Sequence, residues 1–546
     1  MASSAFNDTT ATSVVADTLR MFYIVDPFET SYKSLTDVPN FVAKAQPIFI
    51  AFLFLEIAAV LLIHLHAKLY ATKSKRRLPQ FPRLNDMIGS IGAGVLQQTS
   101  GLLLKEFQIT LYVWLYNHIC LVRFDEQWDL VVWILAFLGV DLAYYWAHRG
   151  AHELNIGWAG HVTHHNSQDY NLSTALRQST IQVFFTTFFY LPLALIIPPP
   201  AFALHNMLNL LFQFWIHTEV IPPLGPLEYI INTPSSHRVH HGRNPFCIDK
   251  NYAGVLIIWD ILFGTYQQEM VDVEPVLYGV THNINTFNPI TIQFHHLKYV
   301  LTAAGTAKGP VEAFSRVFMG PGWTPERPEL RLGDPNDIPR VPNLIQDPDA
   351  DIGYFNPDLF GFSAEKDPVG AAIVTAYVLL NFVAVVVFQM GVQMQKEVLG
   401  WQGIAVAVGV CVLVLSGIGE LLDGEMEKER VLVFAVGQSV WYLVVWPMLV
   451  LYFDGFGVLG DGFLSALVRF YLPVMLCALF WAAVYLKDPE FGSAMAISKE
   501  GKEGEHWMWE PSNWIAYCRL EYVCFAGAIL TGSWVWTLLG LMIIYA

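Results

Sequence analysis

Eight of the 17 histidines in this 546-residue chain fall into three tight patterns. They are His148-x3-His152, then His161-x2-His164-His165, and later His237-x2-His240-His241. Neutral imidazole is the commonest side-chain metal ligand. Two histidines four residues apart share one face of a helix and reach the same ion. Adjacent histidines such as His164 and His165 point about 100° apart on a helix, so they serve different ions. Eight imidazoles exceed what one ion accommodates once a position is kept for water or another small ligand. Two metals sharing eight imidazoles is therefore the economical reading. A single buried histidine is usually a satisfied core residue, but an unpaired polar group in an apolar protein is costly, and eight clustered ones demand a common purpose.

An all-imidazole set with only scattered carboxylates suits iron, zinc or copper. The HExxH motif of zinc proteases is absent, because Glu153 is not followed by a histidine three residues on. The zinc-deaminase pairing of a histidine with a distant PCxxC is absent too. Asp141 lies seven residues before His148, on the same helix face, in an otherwise apolar stretch. An ionisable group there is expected to be functional, most simply as a hydrogen-bond partner of a ligand imidazole. Asp260, within IIWDILFG, is a weaker case of the same kind. His217 ends an apolar stretch close to where the three patterns must converge. It is a candidate ninth ligand, with a supporting or core role as the alternative.

The elements that carry these residues are membrane helices. Hydrophobic residues make up 54% of the chain and charged residues 14%. The mean hydropathy is +0.41, well above the soluble norm. Apolar runs of roughly 20 residues recur, the length that crosses a bilayer. The formal charge of −16 argues against nucleic acid as a partner. Six scattered cysteines without a CxxC pair suggest neither a disulfide framework nor a zinc ribbon. Residues 1–46 form a polar tail without the basic start and apolar core of a cleavable signal peptide, and Asn7 begins an N-x-T sequon.

Residues 47–67 are the first clear span, and the basic cluster from Lys68 to Arg83 places its C-terminal end in the cytosol. Two weaker apolar segments, 85–104 and 108–122, are expected to cross once between them. The strong span 128–147 then delivers His148 to the cytosolic side. Apolar stretches 180–198 and 201–219, joined by Pro198-Pro199-Pro200, read as a hairpin of two spans that returns the third histidine pattern to the first two. Residues 252–266 suit an interfacial helix. Residues 305–368, rich in Pro, Gly and Asp, read as an extramembrane connection. Further apolar segments lie near 369–393, 401–422, 431–453, 461–486 and 524–545. The expected organisation is a tail (1–46), a membrane-embedded catalytic domain (47–304), the connection (305–368) and a C-terminal helical bundle (369–546). The fold class is an all-α, polytopic membrane bundle with a histidine-rich di-metal site facing the cytosol. Clusters at the ends of membrane helices imply a substrate drawn from the bilayer.

The HxxxH, HxxHH and distant HxxHH boxes resemble those of the fatty acid hydroxylase superfamily, the membrane non-haem di-iron oxygenases. Their surroundings, YYWAHRGAHELNIGWAGHVTHHNSQDYNLSTALRQS, QFWIHTEVI, NTPSSHRVHHGRN and GPGW, resemble the glyceryl-ether-cleaving branch of that superfamily over roughly residues 110–335. The resemblance implies two iron ions held by His148, His152, His161, His164, His165, His237, His240 and His241. It implies tetrahydrobiopterin as reductant and O2 as oxidant. It also implies hydroxylation of the carbon next to the ether oxygen of an alkylglycerol, giving a fatty aldehyde and a glycerol derivative. Glu153 matches an acidic residue the family requires after the second histidine, able to orient a ligand or handle a proton. Asn171 and Arg177 belong to the family-like stretch and either support ligands or anchor their loop. Residence in the endoplasmic reticulum membrane follows from the family and from lipid chemistry. The nearest alternative is a sterol- or fatty-acid-modifying hydroxylase or desaturase of the same superfamily, fed by cytochrome b5; no HPGG motif of a fused cytochrome b5 domain occurs.

Overall fold

The apolar periodicity resolves into helices throughout. The structure, a computed structural model, describes residues 14–70, 77–271, 273–334, 337 and 368–423, and among these there is no β-strand, only an isolated bridge between Gly242 and Tyr278. The chain forms two compact units, Met1–Phe355 and Asn356–Ala546. Among the described residues, three helical stretches are long and apolar enough to cross a membrane: Leu35–Tyr70, Glu126–Glu153 and Leu399–Leu422.

Helix α1 (Phe41–Tyr70) opens behind Asn40, whose side chain accepts from the amide of Ala43 at 3.0 Å. Its 30 residues reach about 45 Å, more than the hydrocarbon thickness of a bilayer. Phe54, Leu55, Leu62 and Leu69 stay exposed on it, as lipid-facing side chains do, while Glu56 on the other face is buried. Helix α2 (Leu84–Ile119) joins the two weak segments into one continuous helix. Its buried Ser90, Ala93 and Thr99 show why it reads as weakly apolar: small residues let neighbouring helices approach closely.

Helix α3 (Asp129–Glu153) carries the first histidine pattern on its last two turns. The single extended residue Leu154 then redirects the chain into α4 (Asn155–His165), which carries the second. The two helices meet tightly at this corner. A Cβ on Gly157 would lie 2.7 Å from the carbonyl oxygen of Gly150 and 2.9 Å from Cα of Ala151, so only glycine fits. A short helix α5 (Leu172–Ala175) follows.

The expected hairpin of two spans is corrected. Residues 180–198 form α6 (Gln182–Tyr190) continued by the 3-10 turn Leu191–Leu195, and 201–219 become α7 (Pro199–Trp215), with Pro199 and Pro200 in its first turn. At 17 residues α7 reaches about 26 Å, short of a full span. Its apolarity has another cause: Phe202, Leu204, Leu208, Leu211, Phe212 and Phe214 are buried in protein rather than turned to lipid. The chain still reverses at Pro198 and returns to the histidines. Helix α8 (Pro234–His241) carries the third pattern. The interfacial helix expected over 252–266 is reduced to α9 (Ile258–Phe263), because Tyr252–Ile257 is a buried loop tied to the site.

Helices α10 (Pro289–Gly305) and α11 (Pro310–Phe318) complete the described part of the first unit with the 3-10 turn Pro328–Leu330. The start of the supposed connection is therefore folded. In the second unit α12 (Pro368–Met394) packs against α13 (Lys396–Leu422). The segments 431–453, 461–486 and 524–545, and the Asn7 sequon, lie outside the described residues.

Candidate metal centre

The three patterns and His217 converge into two buried groups. His148, His152, His161, His165 and His240 form one; His164, His217, His237 and His241 form the other. Within each group the ligand atoms lie within 4.8 Å of one another. The adjacent pairs divide, His165 and His240 entering the first group and His164 and His241 the second, as the angle between neighbouring side chains on a helix requires. The groups touch where the His165 and His241 rings stack at 4.4 Å.

Backbone carbonyls fix the tautomers. Nδ1 of His148 donates to the carbonyl of Tyr252 at 2.8 Å, and Nδ1 of His240 to Lys250 at 2.9 Å. In the other group Nδ1 of His164 donates to Arg177 at 2.9 Å and Nδ1 of His217 to Gln213 at 2.7 Å. A carbonyl only accepts, so each of these rings carries its proton on Nδ1 and a lone pair on Nε2. Yet Nε2 of His164 and Nε2 of His217 face each other at 3.1 Å. Two lone pairs at that distance repel unless a cation lies between them. Nε2 of His152 and Nε2 of His241 are buried without a hydrogen-bond partner, a further deficit that a cation removes.

The nitrogen spacings add a geometric test. Nε2 of His161 lies 2.9 Å from that of His148 and 3.1 Å from that of His165; His237 and His217 are 3.0 Å apart. Ligands at about 2.1 Å from an ion and about 90° apart lie about 3.0 Å from each other, and about 3.4 Å apart at the tetrahedral angle. Spacings of this size fit a pair of metal ions that the two groups would hold. Burial, and then neighbouring imidazoles, push His161, His165, His237 and His241 well below the usual histidine range, and burial lowers His164 to about 4. The rings are thus neutral and ready to coordinate near pH 7.

A cavity of about 1180 Å³ opens beside the first group, bounded by His152, His165 and His240, by Trp158, and by the α10 residues His296 and Tyr299.

The comparisons agree with this geometry. The fatty acid hydroxylase family model matches residues 133–265, which contain every histidine of both groups. The human protein named alkylglycerol monooxygenase is 41% identical over 469 residues, covering 86% of this chain and 94% of its own length. The Xenopus tropicalis protein of the same name is 41% identical over 78% of this chain and 87% of its own, and that of Danio rerio 40% over 74% and 82%. This chain belongs to the alkylglycerol monooxygenase family. No solved structure matches it.

As a member of this family the chain is an oxidoreductase and a membrane protein, and its other candidate residues take definite places. Asp141 and Asp260 are corrected. Neither bonds an imidazole. Asp141 accepts from the amides of Val255 and Leu256, from Nε1 of Trp259 and from the side chain of Asn209, at 2.8–3.0 Å. Asp260 accepts from the amides of Tyr252 and Ala253 at 2.8 Å each. Two carboxylates thus clamp the loop whose Tyr252 carbonyl orients His148. The fit leaves no room for a side chain on Gly254, where a Cβ would lie 2.9 Å from the Asp141 carboxylate. Asn171 caps α5 through the amide of Ser173, and the buried Arg177 pairs with Asp86 at 3.5 Å while its carbonyl holds His164. Both anchor the loop behind the second group. Glu153 does not meet the histidines; its carboxylate pairs with Arg149 at 2.8 Å and Arg331 at 3.8 Å.

Several supports carried no sequence signal. Arg238, buried between His237 and His240, makes a two-pronged pair with Glu269 at 2.8 and 2.7 Å and donates to the carbonyl of Thr218 at 2.9 Å, binding the third pattern to the residue after His217. Glu56 of the first span accepts from the Thr218 hydroxyl and from the amide of Leu172 at 2.8 Å. Asp249, with φ 56°, places its carboxylate 3.6 Å from Nδ1 of His152. These contacts join residues 20 or more positions apart, and one sequence does not display such pairings.

Proposed function

We propose that this chain is a tetrahydropterin-dependent di-iron monooxygenase that cleaves the ether bond of alkylglycerols. Hydroxylation of the carbon next to the ether oxygen gives a hemiacetal, which collapses to a fatty aldehyde and a glycerol derivative. The observation that carries the reading is the pair of opposed lone pairs on His164 and His217, set in a family whose curated members are named for this activity. In this reading His148, His152, His161, His165 and His240 hold one iron, and His164, His217, His237 and His241 the other. Two iron ions, when bound, supply O2 activation, with tetrahydrobiopterin as the electron source.

The chain's own residues do the rest. The Tyr252, Lys250, Arg177 and Gln213 carbonyls keep each ring in the coordinating tautomer. Trp158 and Val162 give the cavity an apolar wall beside the first group, suited to an alkyl chain from the bilayer. The basic stretch after the first span supports a site on the cytosolic face, and residence in the endoplasmic reticulum membrane follows from the family reading and from lipid chemistry.

Glu153 is assigned a positioning role. Through Arg331 it ties the end of α3 to the segment whose Leu330, Leu332 and Gly333 line the cavity. Glu153→Gln is expected to lower turnover by about 2–5-fold, the scale of losing a partly exposed ion pair, with bound iron retained. Parallel loss of iron, measured by elemental analysis, would place Glu153 among the metal's own supports instead.

The reading is tested with membranes expressing the full chain, an alkylglycerol under air, and aldehyde release with and without tetrahydrobiopterin. Aldehyde that requires both pterin and O2 is the expected result. Iron-loaded protein that releases none, but oxidises sterols or acyl chains with cytochrome b5, would overturn it.

A further inference from the structure

His295 and His296 belong to neither histidine group, yet both line the cavity beside the first. Their hydrogen bonds decide which nitrogen carries the proton. Nδ1 of His295 lies 3.1 Å from the carbonyl oxygen of Thr291 and 3.3 Å from that of Ile292. Carbonyls only accept, so Nδ1 is the protonated nitrogen and Nε2 keeps its lone pair. For His296 the deciding partner is Asn155. The Asn155 amide nitrogen donates to the carbonyl of Arg316 at 2.7 Å, which fixes the amide's orientation and leaves Oδ1 as the acceptor facing Nε2 of His296, at 2.7 Å. His296 therefore carries its proton on Nε2 and a lone pair on Nδ1.

Neither lone pair has a partner among the described residues. The cavity wall thus offers two neutral acceptors of fixed tautomer. Burial lowers His295 and brings His296 to about 4, so both stay neutral at physiological pH. The formal charges around the same cavity balance, with Arg243, Lys250 and Arg327 against Asp249, Asp334 and Asp337, and Arg327 pairs with Asp334 at 3.2 Å. A balanced rim with neutral acceptors suits an uncharged headgroup rich in hydroxyl donors better than a phosphate.

We propose that His295 and His296 are specificity-determining residues that accept hydrogen bonds from the free hydroxyl groups of the substrate's polar end, so that this wall distinguishes a free diol from its capped counterpart. The proposal rests on the ether-lipid reading above. Asn155, whose backbone opens the helix carrying His161, His164 and His165, couples this wall to the metal-binding helix.

The experiment compares an alkylglycerol bearing two free hydroxyls with the same compound methylated on both, using full-length protein. In the wild type kcat/KM favours the diol. In His295→Leu and in His296→Leu the ratio of diol to capped substrate falls about 3–10-fold, mainly through KM for the diol, as the loss of one hydrogen bond predicts. Bound iron is retained in both, and His296→Gln, which keeps an acceptor, recovers part of the ratio. His295→Leu leaves Asn155 paired, so it stands if His296→Leu fails to fold. An unchanged ratio in an active His295→Leu enzyme, or an equal loss for both substrates, overturns the assignment while leaving the ether-lipid reading intact. Wild-type protein that cleaves neither compound brings down that reading and the assignment with it.

Discussion

Alanine at His164 is expected to abolish aldehyde release and to remove roughly half of the bound iron. His164 is one of only four histidines in its group, and each of the other three is already committed to the same centre. Removing one leaves His217, His237 and His241 and opens a further position, which weakens the hold on that ion. Loss of residues that merely orient a ligand costs about 10–100-fold in affinity or activity, so loss of a ligand should exceed about 100-fold. His240→Ala should act on the five-histidine group in the same way but with a smaller loss of iron, because four histidines remain there. His217→Ala should behave as His164→Ala does, which distinguishes a ninth ligand from a core residue. The checks are iron per chain by elemental analysis and aldehyde release on the same preparations. Retained activity in an iron-poor His164 variant would sink the di-iron reading.

The same substitution has a second, opposite consequence. With metal present it destabilises, because binding to the folded state alone stabilises by mass action and that contribution is lost. With metal stripped by a chelator, His164→Ala removes one of two acceptors that face each other in a buried site. Its cost there should be far smaller, and the thermal transition of the stripped variant should approach or exceed that of the stripped wild type. A substitution whose sign depends on metal identifies a ligand in a way that activity alone does not.

What the sequence displays and what it hides follow a physical division. The histidine boxes are visible because helix geometry converts spacing into direction: four residues apart means one face, adjacent means two centres. The family resemblance rests first on the same boxes, and the matched region 133–265 contains them. The acceptors that orient the rings are invisible, since the carbonyls of Tyr252, Lys250, Arg177 and Gln213 are backbone atoms that no residue type announces. Hydropathy likewise reports that α7 is apolar but not whether lipid or protein covers it, and here protein does. His295 and His296 lack a box partner, so only the cavity shows their relation to the site. Asp141 stands out in the sequence by its apolar surroundings, yet its face on the helix does not reveal that a loop more than 110 residues later reaches it first.

That loop makes Asp141 the place where fold and site depend on each other most directly. Asp141→Ala is expected to destabilise the protein by about 3–5 kcal/mol, the range for removing one side of a buried charged network. Four donors lose their acceptor together, and two of them, the amides of Val255 and Leu256, are backbone groups with no alternative partner in a buried loop. Once the loop is released, the Tyr252 carbonyl no longer holds Nδ1 of His148, and iron should leave the five-histidine group before the four-histidine group. Asp141→Asn keeps one acceptor oxygen and should fall between wild type and Asp141→Ala. The measurements are the thermal unfolding midpoint and iron content of the detergent-purified chain. A lower midpoint together with lost iron supports the clamp. Lost iron at an unchanged midpoint would instead mean that the carboxylate acts on an imidazole directly. Retention of both would mean that Asp260, which holds Tyr252 and Ala253 from the other side, suffices to keep the loop in place.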